Sequence, residues 1–404
     1  VSQADVSELG KLSPVLELRE WSDCEDGTGQ RSSPYIILNL ALEYVNDVGL
    51  TLRAAYKECS PQTRLVVVSY SRLWQPFLRM AEMLSLKERY ARENYIPWDV
   101  LEDLLDLNGF EVTQRRDAIL MPLNVPLIAN FANRWLAPLP ILRHLCLCRI
   151  TVARPVGKRD PSVKSVSVVV AARNEAGNIT ELTSRIPRLA DHQEVIFVEG
   201  GSEDETWETI GDLKLGDFPN IDALIALRQR GTGKGDAVRE GFEAATGDAL
   251  VILDADISVE PEQLRDFIEV LRSDQAEFVN GSRFVYPMDE RAMRFLNIVG
   301  NRFFGYLFTF LLGQRLRDTL CGTKALRRAD YSRLASERLY FGDFDPFGDF
   351  DLLFGSSRLA LRIREVPVHY KERRYGTTNI SRFSHGWLLL KMSVFAAQRL
   401  KFPK

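Results

Sequence analysis

The sequence predicts an α/β protein made of two sheet-and-helix domains in series, and three observations carry that reading. Apolar β-branched runs alternate with amphipathic stretches along most of the chain. The alternation breaks at 155–164, a charged stretch with two prolines and a glycine that reads as a linker, and then restarts. Three strands of the second part end in polar turns bearing Asp, Glu or Gly. The 404 residues suffice for two domains, and 45% apolar with 26% charged residues argues against a disordered chain. A net charge of −3 points away from nucleic acid as a partner.

In the first part, residues 1–154, Tyr35-Ile36-Ile37-Leu38 reads as a strand, Val48 to Cys59 as a helix and Arg64 to Ser69 as a second strand. Trp98 to Leu107 follows as a helix stopped by Asn108-Gly109, before a strand at Phe110-Glu111-Val112. Such β and α units predict a parallel sheet. From Met121 to Arg149 the chain is rich in Pro and apolar residues, with a helix over Leu127 to Leu136; it reads as a cap on this domain or as an interfacial segment.

After the linker, Val166 to Ala171, Glu194 to Val198 and Ala249 to Leu253 are strands of the kind buried on both faces. Helices are expected at Asn178 to Ala190, Asp204 to Leu215 and Gly235 to Ala245, which makes a doubly wound sheet whose ligands sit at the carboxyl ends of the strands. Those ends carry Arg173-Asn174-Glu175, then Glu199-Gly200-Gly201-Ser202, then Asp254-Ala255-Asp256. An isolated Asp-x-Asp is commonly a turn or a helix cap. Placed just beyond a buried strand, its two carboxylates can share one hard cation, Mg²⁺ or Mn²⁺, with a diphosphate supplying further oxygens. The basic, glycine-bearing run 228–235 opens a helix without P-loop spacing, and reads either as a plain loop before that helix or as a backbone and Lys234 facing a nucleotide. Asp349 and Asp351 stand in an unusual acidic and aromatic run over 342–351. From Arg358 onward eleven Lys or Arg face two Glu, a charge suited to a diphosphate, a lipid phosphate or an anionic membrane face.

Five cysteines without a CxxC pair suggest neither a disulfide framework nor a zinc site and fit a reducing cytoplasm. No run is long and apolar enough to span a bilayer. Trp387 to Leu400, within a C-terminal segment 386–404, reads as an amphipathic helix either lying on a membrane or docked on its own domain.

From Ser165 to about Phe402 the chain resembles the family 2 glycosyltransferases, in particular the dolichyl-phosphate mannose synthase branch and its polyprenyl-phosphate relatives. The residues that carry the resemblance are Ala172 to Glu175, Glu199 to Thr206, Gly233-Lys234-Gly235 with Ala237, Asp254-Ala255-Asp256, Gly281-Ser282-Arg283, Asp318-Thr319 with Gly322, and Tyr370 through Arg373 to Ser381. The resemblance implies a GT-A nucleotide-diphospho-sugar transferase domain over 165–385, binding its donor through Ala172, Arg173, Asn174, Glu175, Glu199, Gly201, Ser202 and Lys234. Glu175 and Glu199 would hold base and ribose, Asp254 and Asp256 the metal, Arg283 the acceptor phosphate and Arg373 the leaving diphosphate. It departs from the family pattern at Ala171 to Arg173 and at Glu199-Gly200, which alters a base or ribose contact. A lipid phosphate attacks without a strong base; a hydroxyl acceptor would need one, for which Asp349 or Asp351 is the candidate.

Residues from about Leu16 to Arg154 resemble the second half of a class I S-adenosylmethionine-dependent methyltransferase, carried by Tyr35 to Asn39 with Leu42-Glu43-Tyr44, Pro61 to Ser69, and Trp98 to Val112. The glycine-rich cofactor turn has no counterpart, so this Rossmann-like domain is incomplete and no S-adenosylmethionine binding is expected. The competing readings are a methyltransferase with an accessory sugar-binding domain, a non-catalytic scaffold on a transferase fold, and a transferase acting on a glycan or protein hydroxyl.

Overall fold

The computed structural model describes residues 34–87, 94–123, 125–286, 295–337, 349–372, 375 and 382–402. The chain divides into two compact units between Lys158 and Arg159.

The first unit holds β1 (Tyr35–Asn39), α1 (Ala41–Tyr44), α2 (Val48–Glu58), β2 (Arg64–Tyr70), α3 (Gln75–Met83), α4 (Trp98–Leu107), β3 (Phe110–Ala118), α5 (Ile128–Phe131) and β4 (Cys148–Pro155). Asp47 caps α2, its Oδ1 accepting the Leu50 N–H at 2.7 Å. Leu52, Leu101 and Leu105 from the helices bury themselves against Leu38, Leu65, Val67 and Phe110 of the strands. The strand order is β1-β2-β4-β3. Among the described residues only the β1–β2 pair is parallel, because β4 runs antiparallel to both β2 and β3, so the all-parallel expectation is corrected. The cause is a strand hidden in the sequence. β4 carries Arg149 and Arg154, buried there because Asp117 and Glu111 of β3 pair with them at 2.7 and 2.9 Å.

The second unit runs β5 (Ser165–Ala172), α6 (Ala176–Arg185), β6 (His192–Glu199), α7 (Thr206–Gly211), β7 (Ala223–Arg228), α8 (Gly233–Ala244), β8 (Ala249–Asp254), α9 (Leu264–Arg272), β9 (Phe278–Ser282), α10 (Phe295–Leu312), β10 (Lys324–Arg327), α11 (Arg328–Ser336), α12 (Asp349–Arg358), β11 (Ile363–Pro367) and α13 (Arg382–Ala396). The sheet order is β11-β9-β10-β8-β5-β6-β7, parallel except for β10, which lies antiparallel between β9 and β8. The expected strands are present, with helices on both faces, and α6 stops at Arg185 because Ile186 turns extended before Pro187. Alternate residues supply two cores. Val168, Val170, Val251 and Leu253 pack with α6 and α9, whereas Val169, Ile196, Leu250 and Ile252 pack with α8, α10 and α13. Within 155–164, Arg159 and Val163 are built into this unit: Val163 joins the core, and Arg159 donates to Asp330 at 2.6 Å and to Glu277. Among the described residues no helix is long and apolar enough to cross a membrane.

Candidate active site

The register of the second sheet builds the site. Parallel pairing sets Ala172 opposite Glu199, Ala171 opposite Asp254, and Glu199 opposite Arg228. The carboxyl ends of β5, β6, β7 and β8 therefore form one edge, the place where open α/β sheets bind ligands.

At its β5–β6 side the turns are laced together. The Ala172 carbonyl accepts the Gly200 N–H at 2.9 Å, and Arg173 is exposed. Asn174 adopts φ 57, which its short polar side chain tolerates: its Oδ1 accepts from the Glu203 N–H at 2.8 Å, and its own N–H donates to Ser202 Oγ at 2.9 Å. Gly201, at φ 71, supplies the left-handed residue of the facing turn. Glu199 is buried with its Oε1 accepting the Ser202 N–H at 2.5 Å, and Glu175 is buried with its Oε2 accepting from Asn178 at 2.6 Å. Asp204, whose role the sequence pattern does not reveal, ties this net to α7 and beyond: it accepts from Thr206, from the Ala176 N–H at 3.3 Å and from the Tyr375 hydroxyl at 3.4 Å. Burial would raise its carboxyl, but these hydrogen bonds outweigh it and hold the group below the usual range. Beside the net, the Arg228 guanidinium lies 4.5 Å from the Trp207 ring centroid, a flat cationic surface at the end of β7.

Asp254 closes β8, and Lys234, placed in the first turn of α8, sets its ammonium 2.5 Å from Asp254 Oδ1. Burial would raise this carboxyl too; the Lys234 charge and hydrogen bond override it, Lys324 and Arg283 add to the effect, and the group stays ionised below its ordinary range. Asp256 lies two residues on, its Oδ1 accepting the Ser258 N–H at 3.0 Å. Gly322 faces the pair: a Cβ there would sit 2.0 Å from Asp254 Oδ2 and 2.3 Å from Lys234 Nζ.

Arg283 is buried in a two-pronged ion pair with Asp318, Nε and Nη2 each 2.7 Å from a carboxylate oxygen, and its guanidinium lies 5.0 Å from the centroid of Tyr370. Asp318 also accepts from the Arg283 and Leu320 backbones and from Asn301. Arg283 thus belongs to a fixed buried cluster, within electrostatic reach of Asp254. Asp351 on α12 receives a 2.5 Å hydrogen bond from Arg239 of α8. The Asp349 side chain and Arg373 lie outside the described residues. Cys321 is no nucleophile, since burial pushes its thiol up to about 12.

The residues fit a hard divalent cation. The donors at the strand end are carboxylate oxygens, the ligand type such an ion takes, and Gly322 packs so closely on Asp254 and Lys234 that any side chain there would push them aside. Two carboxylates leave most positions of a six-coordinate ion to other oxygens, and among the described residues no group of three or more His, Cys, Asp or Glu is poised to hold a metal. Gly322→Ala is expected to displace Asp254 or Lys234 and slow turnover about a hundredfold while the circular dichroism spectrum stays unchanged. A variant with full turnover would mean that the close approach of Gly322 to Asp254 and Lys234 is not used.

Comparison with known proteins gives the following likenesses. Residues 167–334 match the family model described as glycosyl transferase family 2. The chain is 31% identical over 238 residues to the glycosyltransferase AglD of Haloferax volcanii, covering 56% of this chain and 36% of that protein. It is 27% identical over 228 residues to the undecaprenyl-phosphate 4-deoxy-4-formamido-L-arabinose transferase of an Enterobacter species, covering 54% of this chain and 64% of that one. The chain therefore spans between about one third and two thirds of the length of these relatives. Among solved structures, glucosyl-3-phosphoglycerate synthase of Mycobacterium tuberculosis, in complex with Mn²⁺, UDP and glucosyl-3-phosphoglycerate, is similar at 20% identity and a TM-score of 0.42, over 60% of this chain and 81% of that one.

Proposed function

Because residues 167–334 match the glycosyl transferase family 2 model, we propose that the protein moves a sugar, with inversion, from a nucleotide diphosphate to a polyprenyl-phosphate-type acceptor with the help of Mg²⁺ or Mn²⁺. The observation that carries this reading is the placement of Asp254 at the tip of a central strand, with Asp256 two residues on and the Lys234 ammonium beside it. The acceptor class is drawn from the polyprenyl-phosphate transferase to which the chain is similar. Asp254 and Asp256 would hold the ion, which supplies stabilisation of charge on the departing diphosphate. Lys234, in the first turn of α8, adds its own charge and the positive end of the helix. Glu175, Glu199 and Ser202, already fixed by one another's turns, line the nucleoside side, with Arg173 and Asn174 at its rim.

A lipid phosphate is anionic at neutral pH and needs no proton removed before it attacks. The Arg239–Asp351 pair engages one of the two carboxylates that could serve a hydroxyl acceptor as base, and a carboxylate held by a guanidinium is a poor one. Asp351→Asn is therefore expected to change turnover by less than about tenfold, well short of the 10²–10⁴-fold that a general base contributes; a larger loss, with folding intact, would transfer the role to Asp351 and the acceptor to a hydroxyl. The decisive assay offers labelled UDP- and GDP-sugars with polyprenyl phosphate or with free sugars. Transfer to the lipid phosphate that EDTA abolishes is the expected result, and transfer only to sugar hydroxyls would overturn the acceptor. The exposed Trp387 and Val394 with Lys391 on α13 fit a cytoplasmic membrane face on which such an acceptor is met. The first unit is read as the incomplete methyltransferase-like domain, without methyl transfer; retention of S-adenosylmethionine in equilibrium dialysis would contradict that.

A further inference from the structure

Between Met121 and Cys148 the first unit is built inside out. The small residues Ala129, Ala132, Ala137 and Cys146 face inward, whereas Leu127 and Ile141 are each 84% exposed, Ile128 and Phe131 more than half exposed and Trp135 partly so. A helix or loop that only covers a core turns its large apolar residues the other way. The arrangement is fixed rather than loose. Asn133 clamps the backbone of Met121 through two hydrogen bonds of 2.8 and 2.9 Å, and Leu127 is held at φ 64, a conformation that costs a branched side chain energy and turns the chain into α5. The surface continues onto α3, which buries no side chain and exposes Phe77, Met80 and Met83; the Trp74 indole N–H donates to the Leu145 carbonyl at 2.9 Å and joins the two parts.

Charge identifies the occupant. From Met121 to Arg149 there are three Arg and one His and no Asp or Glu. Of these, Arg149 turns inward to Asp117, while the Arg134 guanidinium lies 5.2 Å from the centroid of the exposed Trp135 ring, the pairing of cation and indole suited to the headgroup level of a bilayer. A second copy of the chain would set arginine against arginine with no acid from this segment to answer. We propose that this face of the first unit docks on a bilayer containing anionic lipid, with Leu127, Phe131 and Ile141 entering the acyl boundary and Arg134 and Arg143 meeting the headgroups. The inference rests on the first unit alone and stands whether or not the second unit transfers sugar.

The test uses the full chain sedimented with vesicles of phosphatidylcholine, with and without phosphatidylglycerol. The unaltered protein is expected to sediment with the anionic vesicles. The pair Leu127→Asp with Ile141→Asp, and separately the pair Arg134→Glu with Arg143→Glu, are each expected to weaken partitioning roughly tenfold or more. All four positions are on the surface, and an unchanged melting curve checks that the fold is kept. Trp387→Asp on α13 is expected to leave a substantial part of the binding. The proposal is overturned if both paired variants sediment like the unaltered protein, if Trp387→Asp alone abolishes binding, or if the Leu127 and Ile141 changes convert a dimer to a monomer without touching vesicle binding.

Discussion

Asp254→Asn is expected to lower sugar transfer about a thousandfold or more, the scale seen when a preorganised electrostatic group is removed from a polar reaction. The substitution keeps shape and volume at the tip of β8 and removes one charge. It loosens the 2.5 Å contact with Lys234 and removes one of the two carboxylates proposed to hold the cation. The loss should appear in initial rates with labelled donor, together with weaker Mn²⁺ binding in the presence of inorganic pyrophosphate, read by electron paramagnetic resonance. The strand itself is secured by Leu250, Val251, Ile252 and Leu253, all buried, so the fold is expected to persist. Turnover within tenfold of the unaltered protein, with Mn²⁺ binding unchanged, would remove the cation from Asp254 and with it the proposed role of the strand end.

The parts of this site that were legible in the sequence are those where one physical rule acts alone. β5, β6 and β8 are buried on both faces, so their apolar runs stand out, and the acids just beyond them fall at the carboxyl edge without further information. The rest depends on partners brought from far along the chain. β10 begins with Lys324, a residue that argues against a buried strand, yet its side chain is fully buried and its ammonium donates to the Cys321 carbonyl. β4 was lost for the same reason: Arg149 and Arg154 spoil an apolar alternation that only their acids on β3 make tolerable. Asp351 reads as a candidate base because acids crowd its neighbourhood in sequence, and its partner Arg239 is not legible from there because it stands 112 residues earlier. Asp318 was visible as a motif residue, but nothing in the sequence tells that its partner is Arg283, which precedes it by 35 residues.

That pair carries the largest expected effect on stability. Asp318→Ala would leave the Arg283 guanidinium buried with neither of its two 2.7 Å acceptors, and Asn301 and the Leu320 N–H would lose theirs as well. Removing one partner of a buried pair costs about 3–5 kcal/mol, which for a domain of this size lowers the melting temperature by roughly 10 °C. Arg283→Met should cost a comparable amount by stranding the carboxylate, and the double variant should cost clearly less than the sum of the two, because neither charge is then left alone. The pH dependence follows from the same contacts. Burial raises the Asp318 carboxyl, the Arg283 charge and hydrogen bonds outweigh it, and the folded-state value lies below the unfolded one. Its contribution is therefore complete above the ordinary carboxylate value of about 4 and drains away as the pH falls from there toward the depressed folded value. Calorimetric melts should consequently show the gap between the unaltered protein and Asp318→Ala narrowing in acid and constant from neutrality upward. Additive single-variant losses, or a gap that widens in acid, would show that the pair does not hold this corner of the site together.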